Sequence, residues 1–290
     1  MIAYLAADGF VTELLAELGE VSAVHGRLVI APGPRRPAAW AADVWLNPER
    51  IAITSINDGR KALRARSRQW ALYSFHLHRR AQLINEPWQH SRQEFPFPAT
   101  PPRALIGGWT LLDEKTILAA TQRSCPFPLG EINFAENHTE PPSRAYLKLW
   151  ELFSRLQVWP KAGERCLDLG ASPGGWTWVL QGLGAHVVAV DKAPLAPRVA
   201  KLVECRQESA FGLKPEPTDW LFSDVICEPA RLLKLVERWL PVAANIVCTL
   251  KFKGATDHTT TRAFAAIPGS RLLHLHHNRH ELTWCRLAAI

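Results

Sequence analysis

The 290 residues suffice for one large domain or two moderate ones, and a 47% hydrophobic content excludes disorder as the main state. No apolar run reaches bilayer-spanning length, and six dispersed cysteines with no CxxC or other tight pair exclude a disulfide scaffold and a structural zinc site. A formal net charge of +7 favours a polyanionic partner such as nucleic acid, although charge alone is a weak argument.

The opening MIAYLAADGF carries Asp8 and has neither a basic leader nor an apolar core of signal-peptide length, so a soluble, cytoplasmic protein with no membrane partner is expected. GFVTELLAELG has a helical pattern ending at Gly19, VHGRLVIA reads as a strand and PGPRRPAA as a loop. Arg60, Lys61, Arg64, Arg66, Arg68, Arg79 and Arg80 then follow with no acidic residue among them, interleaved with Trp70, Tyr73, Phe75, His76 and His78. Cations near aromatic rings suit phosphate contact and base stacking on looped RNA. The basic residues are assigned to RNA, while the aromatics fit stacking and core packing equally. The proline-rich EFPFPATPP reads as a linker or surface crossing. The expected division is a small α+β domain over 1–95, a linker or irregular segment over 96–140 and a larger domain over 141–290.

Ser143 is the expected N-cap of a helix through SRAYLKLWELF, with Lys148 in its first turns. From Gly163 onward strand-like and helix-like stretches alternate. ERCLDLG, AHVVAVD, TDWLFSDV and ANIVCTLKF are strands, while GGWTWVLQGLG and EPARLLKLVERWL are helices. Such alternation predicts an α/β fold, a mostly parallel Rossmann-like sheet with helices on both faces. SRLLHLHH and ELTWCRLAA form an expected antiparallel edge hairpin around HNRH. His274, His276, His277 and His280 lie there without a further ligand cluster, so no metal is expected.

The strongest local signal runs from a strand directly into a helix: Asp168, Leu169, Gly170, Ala171, Ser172, Pro173, Gly174, Gly175 and Trp176. Glycines let backbone approach a ligand, and a helix N-terminus offers N–H groups and partial positive charge. A dinucleotide site would want G-x-G-x-x-G, and the closely spaced first pair is missing. Asp191, ending the next strand, is placed to accept from both ribose hydroxyls of a nucleoside. Asp168 is placed to meet the ammonium of a methionine moiety. Together they favour S-adenosylmethionine over a generic glycine-rich turn. Trp176 closes this loop, although it and Trp178 also suit packing.

LDLGASPGGWTWVL resembles the cofactor motif of the FtsJ-type ribose 2'-O-methyltransferases. SRAYLKLWE resembles that family's SR-x-x-x-KL-x-E segment, whose lysine is catalytic, here Lys148. FSDV is similar to the segment with the catalytic aspartate (Asp224), TLKF to that with the second lysine (Lys251), and HNRHELTW to that with the final glutamate (Glu281). The resemblance spans about residues 140–290. It is nearest to the branch that modifies a cytidine of bacterial 23S rRNA, which shares PSR and GGWT and carries a THUMP-type RNA-binding region. GFVTELLAELG resembles the opening helix of such regions, but this N-terminal half is shorter. Where the family often places an aspartate beside the adenine, this chain has Glu208 and Ser209.

The resemblance implies S-adenosylmethionine-dependent methylation of a ribose 2'-hydroxyl, with 23S rRNA as substrate and no metal or obligate protein partner. Transfer RNA or another RNA, a non-catalytic RNA-binding or ribosome-assembly role, and an NAD(P)-dependent oxidoreductase are the alternatives. The missing G-x-G and the lack of a Tyr-x-x-x-Lys pair weigh against the last. The chemistry requires a hydroxyl held in line with an activated methyl and a group that takes its proton. Lys251 is expected to take it, with Lys148 positioning and Asp224 and Glu281 orienting both lysines.

Overall fold

Two units divide this chain between Phe134 and Ala135. The computed structural model describes residues 1–88, 94–102 and 106–288. Each unit has its own sheets and core.

The N-terminal unit begins with β1 (Ile2–Ala6), α1 (Val11–Leu18), β2 (Ala23–His25), β3 (Leu28–Ala31) and β4 (Ala41–Leu46). It continues through β5 (Glu49–Ala52), α2 (Ile56–Arg64), β6 (Gln69–Leu72), α3 (His78–Asn85), β7 (Ile106–Asp113), β8 (Thr116–Ala120) and β9 (Gln122–Arg123). VHGRLVIA, expected as one strand, is a hairpin: β2 and β3 pair through His25 and Leu28, and Gly26 and Arg27 make the turn. Gly26 takes a φ of 59°, which a two-residue hairpin turn favours and a side chain resists.

One antiparallel sheet has the order β2-β3-β1-β4-β9, and a second the order β5-β8-β7-β6, in which β6 runs parallel to β7. The expected domain end at residue 95 and linker over 96–140 are therefore corrected. GGWTLLDEKTILAA is the β7–β8 hairpin at the centre of the second sheet, and β9 pairs with β4. The prolines mark a crossing within the unit, since Phe95 N donates to Asn133 O at 2.8 Å. Trp45, Trp70 and Trp109 fill the core, each at most 1% exposed. Asp43 on β4 is fully buried and pairs with Arg123 on β9 at 2.5 Å. It also accepts from the backbone of Val44 and Cys125.

The C-terminal unit runs α4 (Tyr146–Leu156), β10 (Arg165–Leu169), α5 (Gly175–Gly182), β11 (His186–Asp191), α6 (Pro197–Ala200) and β12 (Glu204–Gln207). Then come β13 (Thr218–Ser223), α7 (Pro229–Trp239), β14 (Ala243–Lys251), α8 (His258–Ala265), β15 (Ser270–Leu273) and β16 (Glu281–Arg286). Their sheet has the order β12-β11-β10-β13-β14-β16-β15, parallel from β12 to β14. Its central strands are nearly all buried, which is why they read as continuous apolar runs.

Two local expectations change. Ser143 does not cap α4, which starts at Tyr146 after Ala145 with no side-chain cap. A tight turn satisfies the first N–H groups instead: Leu147 N donates to Arg144 O and Lys148 N to Ala145 O. The last two strands do pair antiparallel, but β16 lies inside the sheet between β14 and β15. That insertion brings the start of β16 beside the end of β14.

Candidate active site

The parallel strands end together, and the chemistry-bearing side chains collect at that end, as the open α/β arrangement favours. Asp191 is the last residue of β11 and Lys251 the last of β14. Asp224 directly follows β13, and Glu281 opens the antiparallel β16. Lys148 comes from α4.

Four of these side chains meet. Lys148 Nζ lies 2.8 and 2.9 Å from the two carboxylate oxygens of Asp224, and 3.2 Å from Glu281 Oε1. Lys251 Nζ lies 3.1 Å from Asp224 Oδ1 and donates to the Asp224 carbonyl at 2.6 Å. The cluster is a chain of alternating charge, Lys251–Asp224–Lys148–Glu281. Lys148 is its most enclosed member, its side chain 8% exposed against 22% for Lys251. The Lys148 ammonium also sits 5.7 Å over the Trp176 ring, within cation–π reach. Trp176 is 3% exposed and donates its indole N–H to Ala145 O, so its place is under α4, bracing the lysine.

The glycine loop lies beside this cluster. Gly170 has a φ of 78°, and a Cβ there would come within 2.7 Å of the Val225 backbone. The loop after β10 therefore lies tight against the segment carrying Asp224. Ser172 N donates to Asp191 Oδ2 at 3.0 Å and Ala193 N to Oδ1 at 2.9 Å, which fixes the orientation of that acid. Gly174 caps α5 at a φ of 112°, with Ala171 and Pro173 completing the turn.

Asp168 is fully buried. Its Oδ2 accepts from Thr177 Oγ1 at 2.7 Å, while Oδ1 has no hydrogen-bond partner among the described residues. Burial first, then the charges of Asp224 and Asp191, push its carboxyl up to about 7, against the hydrogen bonds from Thr177. A buried carboxylate oxygen without a donor fits a cationic ligand group. Glu208 and Ser209 follow β12 as it leaves the sheet beside Asp191, which pairs with Gln207. Among the described residues no group of three His, Cys, Asp or Glu side chains is placed to hold a metal ion.

The basic run lies in the N-terminal unit, on α2, α3 and the turns around β6. Arg60 is not presented outward. It donates to Leu83 O at 2.5 and 3.1 Å and pairs with Glu86, joining α2 to α3. Arg66 pairs with Glu49 at 2.8 Å. Lys61, Arg64, Arg68 and Arg79 are exposed, and Arg80 is half-buried. Of the interleaved aromatics, Trp70 and Tyr73 belong to the core, while Phe75 and His76 are half-buried and His78 is exposed.

Sequence reasoning passed over Glu151. It is wholly buried on α4, where Arg155 pairs with it and His276 and His277 donate to it. Its only sequence signal is its place as the final acid of SRAYLKLWE, one turn after Lys148.

Residues 141–247 match the FtsJ-like methyltransferase family. The chain is 36% identical over 162 residues to the ribosomal RNA large subunit methyltransferase M of Halorhodospira halophila, covering 49% of this chain and 46% of that one. It is 34% identical over 196 residues to the protein of that name from Azotobacter vinelandii, covering 59% and 55% respectively. The chain thus spans about half the length of these relatives. TrmN from Thermus thermophilus overlays 98% of each chain at 14% identity and a TM-score of 0.36, too loosely to carry an argument. Among the described residues no helix is long and apolar enough to cross a membrane. The match to the FtsJ-like methyltransferase family thus falls wholly within the C-terminal unit.

Proposed function

We propose that this chain methylates a ribose 2'-hydroxyl of RNA, using S-adenosylmethionine, and that its substrate is large-subunit (23S) ribosomal RNA. The observation that carries the reading is the Lys251–Asp224–Lys148–Glu281 chain next to a glycine loop with an unsatisfied buried carboxylate. Names of the relatives, which specify large-subunit ribosomal RNA, support the substrate. The reaction belongs in the cytoplasm, where such RNA is available.

When bound, S-adenosylmethionine supplies a methyl group already activated on a sulfonium. Asp168 Oδ1 would hold the ammonium of the methionine moiety, and Asp191 would accept from the ribose hydroxyls. Gly170 through Gly175 leave room for backbone approach, and Glu208 and Ser209 would border the adenine. Lys251 Nζ, having first given up its own proton to become the neutral amine, takes the proton of the attacking hydroxyl. Lys148, the more enclosed lysine, positions that hydroxyl, while Asp224 holds both amines and Glu281 balances the charge on Lys148. Fixed donors and acceptors of this kind act without reorganising during the reaction. Exposed Lys61, Arg64, Arg68 and Arg79 contact RNA phosphates.

The test is transfer of labelled methyl to unmodified 23S rRNA, with 16S rRNA and bulk tRNA as comparators, followed by alkaline cleavage. Label confined to 23S rRNA at an alkali-resistant linkage is expected. Label on another RNA would keep the chemistry and remove the substrate. No label from protein that binds the cofactor would favour a non-catalytic RNA-binding role.

A further inference from the structure

Glu151 stands three residues, one helical turn, beyond Lys148 on α4, and both side chains point to the segment joining β15 to β16. Glu151 Oε1 accepts from His276 N at 2.8 Å. Its Oε2 accepts from His277 N at 3.0 Å and lies 2.7 Å from His277 Nδ1. Arg155 pairs with Oε1 at 2.6 Å. Burial would raise this carboxyl, but Arg155, His277 and the His276 N–H hold it at about 2, so it stays ionised. Fully enclosed and saturated by donors, it has no proton to trade with a substrate.

The segment it grips ends in Glu281. Asn278 Nδ2 donates to Glu281 O at 3.3 Å and to Thr283 Oγ1 at 3.1 Å. His274 Nε2 and Arg279 O lie 2.9 Å apart, closing the turn on itself. Helix α4 thus meets this segment twice, through Glu151 at His276–His277 and through Lys148 at Glu281. Apolar side chains of similar volume in place of both Glu151 and Arg155 could hold such a junction as well as the buried ion pair does. What a carboxylate adds is direction, because it accepts from two successive backbone N–H groups and thereby sets the course of the chain toward Glu281.

We infer that Glu151 is a positioning residue for methyl transfer: by clamping the β15–β16 segment to α4 it fixes Glu281 against Lys148. The inference rests on the methyltransferase reading above. Lys148 is held between Asp224 and Glu281, so a displaced Glu281 leaves the lysine free to shift away from the reacting hydroxyl.

Glu151→Gln keeps the volume but offers a single acceptor oxygen to the donors of His276, His277 and Arg155. In the full chain it should bind S-adenosylmethionine within about twofold of wild type and keep KM for RNA, while kcat per cofactor-binding site falls about tenfold or more. Adding Glu281→Gln to this variant should cost little more, because the two act through one element. Amide exchange at His276 and His277 should quicken in Glu151→Gln, a readout independent of activity. A purely structural role would lower the midpoint of unfolding and the fraction of binding-competent protein, but leave the rate per site unchanged, and that result overturns the inference. Should Glu151→Gln fail to fold, Asn278→Ala cuts the other tie to Glu281. It is expected to give the same fall in kcat, and a wild-type rate there also overturns the inference. Wild-type protein silent on every RNA would refute the methyltransferase reading itself, whereas active wild type with an unimpaired Glu151→Gln refutes only the clamp.

Discussion

Lys251 and Glu281 stand directly opposite each other across the sheet, the last residue of β14 against the first of β16. Their charges nevertheless go to other partners: Lys251 reaches Asp224 and Glu281 reaches Lys148. The result is a balanced row of two cations and two anions in which both lysines are pinned by one aspartate. It exists because β16 enters the sheet antiparallel beside β14, so that the start of one strand meets the end of the other.

If Lys251 takes the hydroxyl proton, Lys251→Ala should reduce kcat by a factor on the order of 10²–10⁴, the usual contribution of a positioned base. Cofactor affinity should stay within about twofold, because Asp168, Asp191 and the glycine loop are untouched. Single-turnover transfer together with calorimetric binding separates the two quantities. A variant with full rate would assign the proton to another group.

Asp168 predicts a pH dependence of cofactor binding. Its folded-state value of about 7 lies above the ordinary carboxylate range, so the folded protein holds the proton more tightly than the unfolded chain. Stability without cofactor should therefore decline as pH rises from about 4 to about 7 and then level off. An ammonium ligand needs the ionised form, so the Kd for S-adenosylmethionine should weaken by up to about tenfold per unit below pH 7 and flatten above it. Calorimetry between about pH 5 and 7.5 measures this slope. Asp168→Asn should bind weakly at every pH with the slope gone, and a persisting slope would locate the titrating group elsewhere.

The C-terminal unit was legible because its sheet is mostly parallel and covered. Strands such as β10 and β14 are buried on both sides and read as unbroken apolar runs, separated by helical periods. The N-terminal unit was not. Strand β7 pairs with Gln69–Leu72 and β8 with Glu49–Ala52, partners far away in sequence, while the proline run before them mimics a boundary. Glu151 showed only as the closing acid of SRAYLKLWE, with its role hidden for a similar reason. An acid on an amphipathic helix reads as solvated, and only the fold brings His276 and His277 to cover it. The acids that take Arg60 and Arg66, Glu86 and Glu49, lie outside the basic run and so left its apparent charge intact.

The buried pair of Asp43 and Arg123 makes a prediction about stability. Asp43→Ala strands an Arg123 side chain that is 2% exposed, which costs about 3–5 kcal/mol. Thermal unfolding followed by tryptophan fluorescence should show a loss of roughly 6–20 °C for this unit, at about 2–4 °C per kcal/mol. Asp43→Leu combined with Arg123→Met should recover most of the loss, since both charges then disappear together. A single variant that melts with wild type would mean that Arg123 finds solvent once the carboxylate is gone.

Two neighbours on α2 should behave oppositely toward RNA. Lys61 is exposed, whereas Arg60 is spent on Leu83 O and Glu86 within its own unit. A phosphate contact releases counterions, so Lys61→Ala should weaken binding across RNA sequences and lower the slope of log K against log salt by about 0.7–0.9. The same follows for Arg64, Arg68 and Arg79. Arg60→Ala should leave the salt slope near wild type and instead cost about 1 kcal/mol of stability, from one surface ion pair and its carbonyl contact. Filter binding across a salt series, with a melting curve for each variant, tells the two classes apart. If Arg60→Ala changes the slope as much as Lys61→Ala, the guanidinium leaves Glu86 for RNA and the α2–α3 contact is not its working state.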